Sequence, residues 1–228
     1  MKIRSPLRCI LIILTLALAS CVTDAPPADL VIQNVTVIDA VNGVREGRTV
    51  AVRDGHIIGV TDDPGLMDAT EIVDGTGKFL IPGLWDFHVH LTYDERFTEA
   101  MPGLFLRHGI TSIRDTGGLM EKLLPVVEAL RSEGATAPRV FFAGPLLDGE
   151  HVVYDGEARP VLGISNPTVE TARANVESLA EAGVDFIKVY EMVTPEVFEA
   201  LVETAEAHEL HLAGHEPLSL LARDVGAR

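Results

Sequence analysis

From Leu30 to Asp39 the chain reads Leu-Val-Ile-Gln-Asn-Val-Thr-Val-Ile-Asp, rich in β-branched residues and alternating in places, which predicts a strand. Thr49 to Val60 predicts two more, turned at Asp54-Gly55, a strong hairpin signal. Glu71–Asp74 and Lys78–Leu80 add two short strands broken by Gly75 and Gly77, so the first part of the chain reads as a small all-β unit. Beyond His90 the period changes. Phe97–His108 predicts a helix stopped by Gly109, and Thr111–Asp115 a strand ended by Thr116-Gly117-Gly118. Leu119–Glu133 predicts a second helix, with Pro125 marking a kink or a late start. Arg139–Ala143 is the next strand, followed by a long loop from about Leu146 to Ser165. Asn166 is expected to cap a helix with Pro167 at its first position, an apolar stripe at Val169, Ala172, Val176, Leu179 and Ala180, and a stop at Gly183. Val184–Tyr190 is a strand. Thr194-Pro195 opens a helix with Val197, Leu201, Val202 and Ala205 inward, and Leu210–His215 is a further strand. Strands alternating with helices imply parallel βαβ units.

The stretch Ile81-Pro82-Gly83-Leu84-Trp85-Asp86-Phe87-His88-Val89-His90-Leu91 stands at the change of period. Read as a strand, it places His88 and His90 on one face with Asp86 behind them, and Phe87, Val89 and Leu91 on the other. Its apolar content predicts burial, and buried histidines need partners. Two imidazoles this close can grip one divalent metal; the alternative is a polar face on an exposed strand. Lys188 alternates with Phe186 and Tyr190 on one face of an apolar strand. A lysine there is costly unless paired or neutral, and burial lowers its pKa; the alternative is a strand-end lysine reaching solvent. His215 ends the next strand, either as a ligand or as a helix cap before Glu216-Pro217. Tyr190 is either a substrate contact or core packing, and His151 and Tyr154 sit in the long loop. Arg114 and Asp115 are expected to form a structural ion pair.

The Ile81–Leu91 phrase resembles the first barrel strand of the amidohydrolase superfamily, most nearly its imidazolonepropionase-like and prolidase-like branch, and the resemblance runs from about Leu30 to the last residue. It implies an α/β fold: the first strands of a metal-dependent (β/α)8 TIM-type barrel over residues 80–228, preceded by a partial β-sandwich side domain over 29–79. It implies that His88 and His90 bind the more buried metal and that Lys188 is carboxylated and bridges two divalent ions, zinc by expectation. It also implies that His215 holds the second ion and that Tyr190 donates to the scissile carbonyl or holds the substrate. The expected reaction is amide hydrolysis through a metal-activated water, with a dipeptide as substrate in the manner of a prolidase. A cyclic-amide hydrolase or a deaminase of the same superfamily is the alternative. The family pattern also needs a histidine after the sixth strand and an aspartate after the eighth, and neither precedes Arg228. The expectation is therefore an N-terminal portion of a longer enzyme; an inactive truncated lipoprotein or a metal-binding scaffold is the other reading.

Composition narrows the partners. The 228 residues carry a formal charge of −16, which argues against nucleic acid and says nothing of fold. Residues 1–20 read as a signal peptide, basic at Lys2, Arg4 and Arg8 and apolar from Ile10 to Ala19. Leu18-Ala19-Ser20-Cys21 resembles the lipobox of bacterial lipoproteins, which implies a lipid on Cys21, export across the inner membrane, and membrane anchorage on the periplasmic or surface side. Residues 21–28 would be a tether. Cys9 and Cys21 are the two cysteines, so no disulfide is expected in the mature fold. The sequence sets no oligomeric state.

Overall fold

The computed structural model describes residues 27–62, 69–132 and 134–226; Cys21, the expected leader and most of the tether lie outside them. The chain divides into two compact units with the break between Pro82 and Gly83, three residues beyond the boundary expected from sequence.

The first unit contains β1 (Ala28–Asp39), β2 (Gly43–Arg53), β3 (His56–Thr61), β4 (Ala69–Asp74) and β5 (Phe79–Leu80). They form one mixed sheet in the order β3-β2-β1-β4, with β5 also paired to β1. The β2–β3 hairpin turns where expected, with Asp54 at φ 50° and Gly55 at φ 71°, the left-handed pair that a two-residue hairpin requires. Val31, Val35, Val37, Val50 and Ala51 are among its buried residues. Ile57, Ile72 and Phe79 are exposed, so among the described residues the expected sandwich is represented by one layer.

The second unit contains β6 (Leu84–Val89), α1 (Met101–Arg107), β7 (Ile110–Asp115), α2 (Met120–Arg131), β8 (Arg139–Phe142), β9 (Leu146–Asp148), β10 (Gly163–Ser165), α3 (Val169–Glu181), β11 (Phe186–Val189), α4 (Pro195–Ala207), β12 (His211–Gly214) and α5 (Ala222–Val225). Every strand pairing is parallel, in the orders β6-β7-β8 and β10-β9-β11-β12. The amide of Asp185 donates to the Phe142 carbonyl at 2.9 Å, which joins the start of β11 to the end of β8. The helices pack on one face of these strands. Val89, Ile113, Val140, Phe142, Ile187 and Val189 meet Leu123, Val127, Val176, Leu179, Val197 and Leu201 in one apolar core. Parallel strands with helices on one face only are the architecture of a (β/α) barrel rather than a doubly wound sheet.

Two local expectations are corrected. The Leu146–Ser165 segment is not all loop: its ends pair as β9 and β10, each three residues long and too short to show a period. Thr168, not Asn166, caps α3, its hydroxyl accepting from the Thr171 amide at 3.2 Å. Asn166 is instead fully buried and donates its amide to the Asp148 and Ile164 carbonyls. Pro125 lies inside α2, which fits the expected kink rather than the late start. The cap of α4 is as expected, with Thr194 accepting from the Val197 amide and Pro195 at the first position.

Candidate metal and hydrolase site

In a parallel barrel the side chains opposite the helices converge at the carboxyl ends of the strands, where catalytic groups collect. Ile187 and Val189 face the helices, so Phe186, Lys188 and Tyr190 face the other way, as period two predicts. All three are buried, Lys188 with 4 % of its surface exposed. No hydrogen bond or ion pair holds its ammonium among the described residues. Burial, and then the Arg114 guanidinium, press the Lys188 pKa down from the ordinary lysine value.

The histidine strand departs from simple alternation. Asp86 pairs with Ile113, but Val89 pairs with Asp115, so one extra residue lies between them on β6. This bulge puts Asp86 on the helix side with Ile113, and leaves Trp85, Phe87, His88 and His90 on the site side. Asp86 is therefore not behind the histidines as expected, although its carboxylate accepts from the His88 amide at 3.1 Å. Trp85 stacks on Phe87 and Phe141. The expected burial of the stretch holds only at its end: Val89 and Leu91 are buried, while Trp85, Phe87 and His88 are exposed and His90 is half-buried. The reason is the bulge, which turns both aromatic rings to the face that the helices do not cover.

The His88 and His90 rings lie edge to face with centroids 5.2 Å apart. The charges of Lys188 and His215 act on both, so the four predicted residues share one neighbourhood. Loss of water is the largest cause holding both imidazoles below their usual pKa, with Lys188 next for His88 and partly opposed at His90 by the bond to Gly117. Both rings are thus biased to the neutral form that binds metal. His90 Nδ1 meets the Gly117 carbonyl at 2.9 Å, and His215 Nδ1 meets Glu191 Oε1 at 2.8 Å. Each contact favours a proton on Nδ1 and leaves Nε2 as a free lone pair, the arrangement that metal-ligating histidines use.

The donor set fits a divalent ion at two of its ligands and reaches further only through the lysine. Among the described residues no three His, Cys, Asp or Glu side chains converge as a metal-binding group. His88 and His90 pair, and the neighbour beyond them is a buried amine. An amine left uncompensated in an apolar wall is the group that carboxylation would convert into an anionic oxygen donor.

Sequence reasoning left Tyr154 open and missed Tyr93. The rings run as a chain: His90 to Tyr93 at 6.3 Å, Tyr93 to Tyr154 at 6.4 Å, Tyr154 to Tyr190 at 5.8 Å, and Tyr190 to His215 at 4.4 Å. Burial, then Glu191, pushes the Tyr190 phenol up to about 12. The Arg159 guanidinium stands 5.0 Å from the Tyr154 ring centre. Asp148 holds the wall in place: its buried carboxylate accepts from the amides of Gly149, Val153 and Met192 at 3.1, 2.9 and 2.7 Å, tying the loop that carries Tyr154 to the turn after Tyr190. His151 is exposed. The expected Arg114–Asp115 ion pair does not form, because neighbours on a strand point to opposite faces. Arg114 lies over Phe186 at 4.3 Å on the site side, and Asp115 is buried on the other. Burial outweighs its two amide bonds and raises the Asp115 carboxyl to about 7.

No family model matches the chain. It is 35 % identical over 86 residues to an adenine deaminase of Oceanobacillus iheyensis, covering 38 % of this chain and 14 % of that protein. It is 30 % identical over 203 residues to urease subunit alpha 2 of Streptomyces coelicolor, covering 82 % of this chain and 32 % of that subunit. It superposes on a solved prolidase complexed with N-methylphosphonate-L-proline at a TM-score of 0.67 and 23 % identity, covering 82 % of this chain and 55 % of that one. The chain thus matches about a third of the urease subunit's length and about half of the prolidase's.

Proposed function

We propose that this chain, whose fold superposes on those of a solved prolidase and a solved amidohydrolase, is part of an amidohydrolase that cleaves an amide bond, with dipeptides as the substrate class. The observation that carries this reading is the His88–His90 pair beside a buried Lys188 with no counterion among the described residues, with His215 near enough for its charge to act on both imidazoles. His88 and His90 would hold a divalent ion, with His215 and a carboxylated Lys188 as further ligands of the metal site. A divalent ion bound there supplies Lewis-acid polarisation and lowers the pKa of water. The chain's own groups do the rest. The Gly117 carbonyl and the Glu191 carboxylate fix the tautomers of His90 and His215. Tyr190 stays a neutral phenol across the physiological range, and its ring lies 4.4 Å from that of His215, which supports a role as hydrogen-bond donor to a substrate carbonyl. Tyr93 and Tyr154 wall the space beyond it.

The dipeptide class is supported by the superposition on a prolidase holding a proline derivative. The likeness to adenine deaminase supports a second reading, hydrolytic deamination of a ring amine by the same groups. Assaying the full-length protein against Xaa-Pro and other dipeptides, and against adenine, separates the two. Replacing Lys188 by Ala tests the core of either reading. Metal content and turnover should both fall, turnover by at least about 10²-fold, in line with loss of a group that orients the reacting atoms. Unchanged metal occupancy in a folded Lys188→Ala protein would contradict the bridging role.

A further inference from the structure

We infer that Asp115 is a positioning residue for His90, and through it for cation binding at the His88–His90 pair; the inference rests on the reading of that pair as metal ligands. Asp115 ends β7 with its side chain fully buried. One carboxylate oxygen accepts from the Leu91 amide at 2.6 Å, and the other from the Gly117 amide at 3.0 Å. Leu91 is the residue after His90, and Gly117 is the residue whose carbonyl meets His90 Nδ1. The Thr116 amide, between them, donates to the Val89 carbonyl at 2.9 Å. The three residues Asp115, Thr116 and Gly117 therefore hold His90 from the peptide before it, the peptide after it and the ring itself.

The residue types suit this task. A carboxylate has two acceptor oxygens, one for each amide. An asparagine would offer one oxygen and turn an NH2 towards the other amide, leaving a buried donor unmet. No carboxylate–cation pair explains the position, since Arg114 points to the opposite face. Gly117 is equally constrained. A Cβ there would stand 3.0 Å from His90 Cε1 and 2.8 Å from Leu146 Cδ2, so only glycine lets this backbone lie against the ring. A strand-end aspartate bonded to its own strand would be ordinary structure. This one reaches across to the strand that carries the histidines, beyond the last ladder pairing.

The test is Co2+ binding to the full-length protein, read from the ligand-field absorption of the bound ion and from competition with a chelator, in the wild type and in His88→Ala, Asp115→Asn and Gly117→Ala. Asp115→Asn and Gly117→Ala should each weaken Co2+ binding about 10- to 100-fold and change the absorption envelope, the usual effect of losing a group that orients a ligand. Gly117→Ala displaces the same carbonyl while Asp115 stays in place, so it decides the matter if Asp115→Asn does not fold. Wild-type affinity and an unchanged spectrum in folded Asp115→Asn, or in Gly117→Ala where Asp115→Asn is unfolded, would overturn the inference while leaving the proposed function standing, provided His88→Ala loses binding. A wild type that binds no Co2+ would overturn both.

Discussion

At the scale of single residues, the proposed chemistry rests on Lys188 and Tyr190. A lysine with 4 % of its surface exposed, beside a guanidinium, is held where its charged form is costly. Conversion to a carbamate, as proposed above, would exchange this cation for an anion whose charge a bound divalent ion would offset. Tyr190 is the complementary case. Its phenol, pushed up to about 12, keeps its proton at any working pH, so it can donate but not act as a base. Tyr190→Phe should therefore lower kcat by roughly 10²-fold with little change in metal content. The wild-type pH–rate profile should show no limb from this phenol between about pH 7 and 10. A rate equal to wild type in Tyr190→Phe would make the ring a packing residue only.

At the scale of elements, strands deliver the chemistry and helices hold them in place. α4 buries Val197, Leu201, Val202 and Ala205 against the sheet and is opened by Thr194. Thr194→Ala should cost about 1 kcal/mol through the lost cap. Leu201→Ala should cost about 2–5 kcal/mol through the cavity left in a fully buried site. Denaturant midpoints that reversed this order would deny that α4 is held mainly by its buried face. The same elements show what the sequence could and could not disclose. The α4 cap and stripe, the β2–β3 turn and the alternation on β11 were legible, because each follows from a local period or a local backbone preference. The β6 bulge was not: it adds one residue to a six-residue strand, too little to disturb the pattern, yet it moves Asp86 to the far face. The roles of Asp148 and Asn166 were hidden for another reason. Their partners lie up to 44 residues away in sequence, and no period or spacing connects them. Tyr93 escaped notice because its place in the aromatic wall depends on Tyr154, which reaches it only through the loop between β9 and β10.

For the whole molecule, the second unit is a one-sided parallel sheet whose uncovered face carries the candidate site. The helices face the apolar residues of β6, β7, β8 and β11, and the opposite residues of those strands carry the histidines, the arginine and the lysine. That division puts the two histidines of β6 and the buried amine of β11 on the same uncovered face. The central claim, that these groups exist to hold divalent ions for hydrolysis, is tested most directly by removing the ions. The full-length protein would be stripped by a chelator, dialysed, and assayed for dipeptide hydrolysis before and after Zn2+ or Co2+ is restored with bicarbonate. The account predicts loss of essentially all turnover on stripping and its return on adding metal and bicarbonate together. Full turnover in protein shown to be free of metal would contradict it.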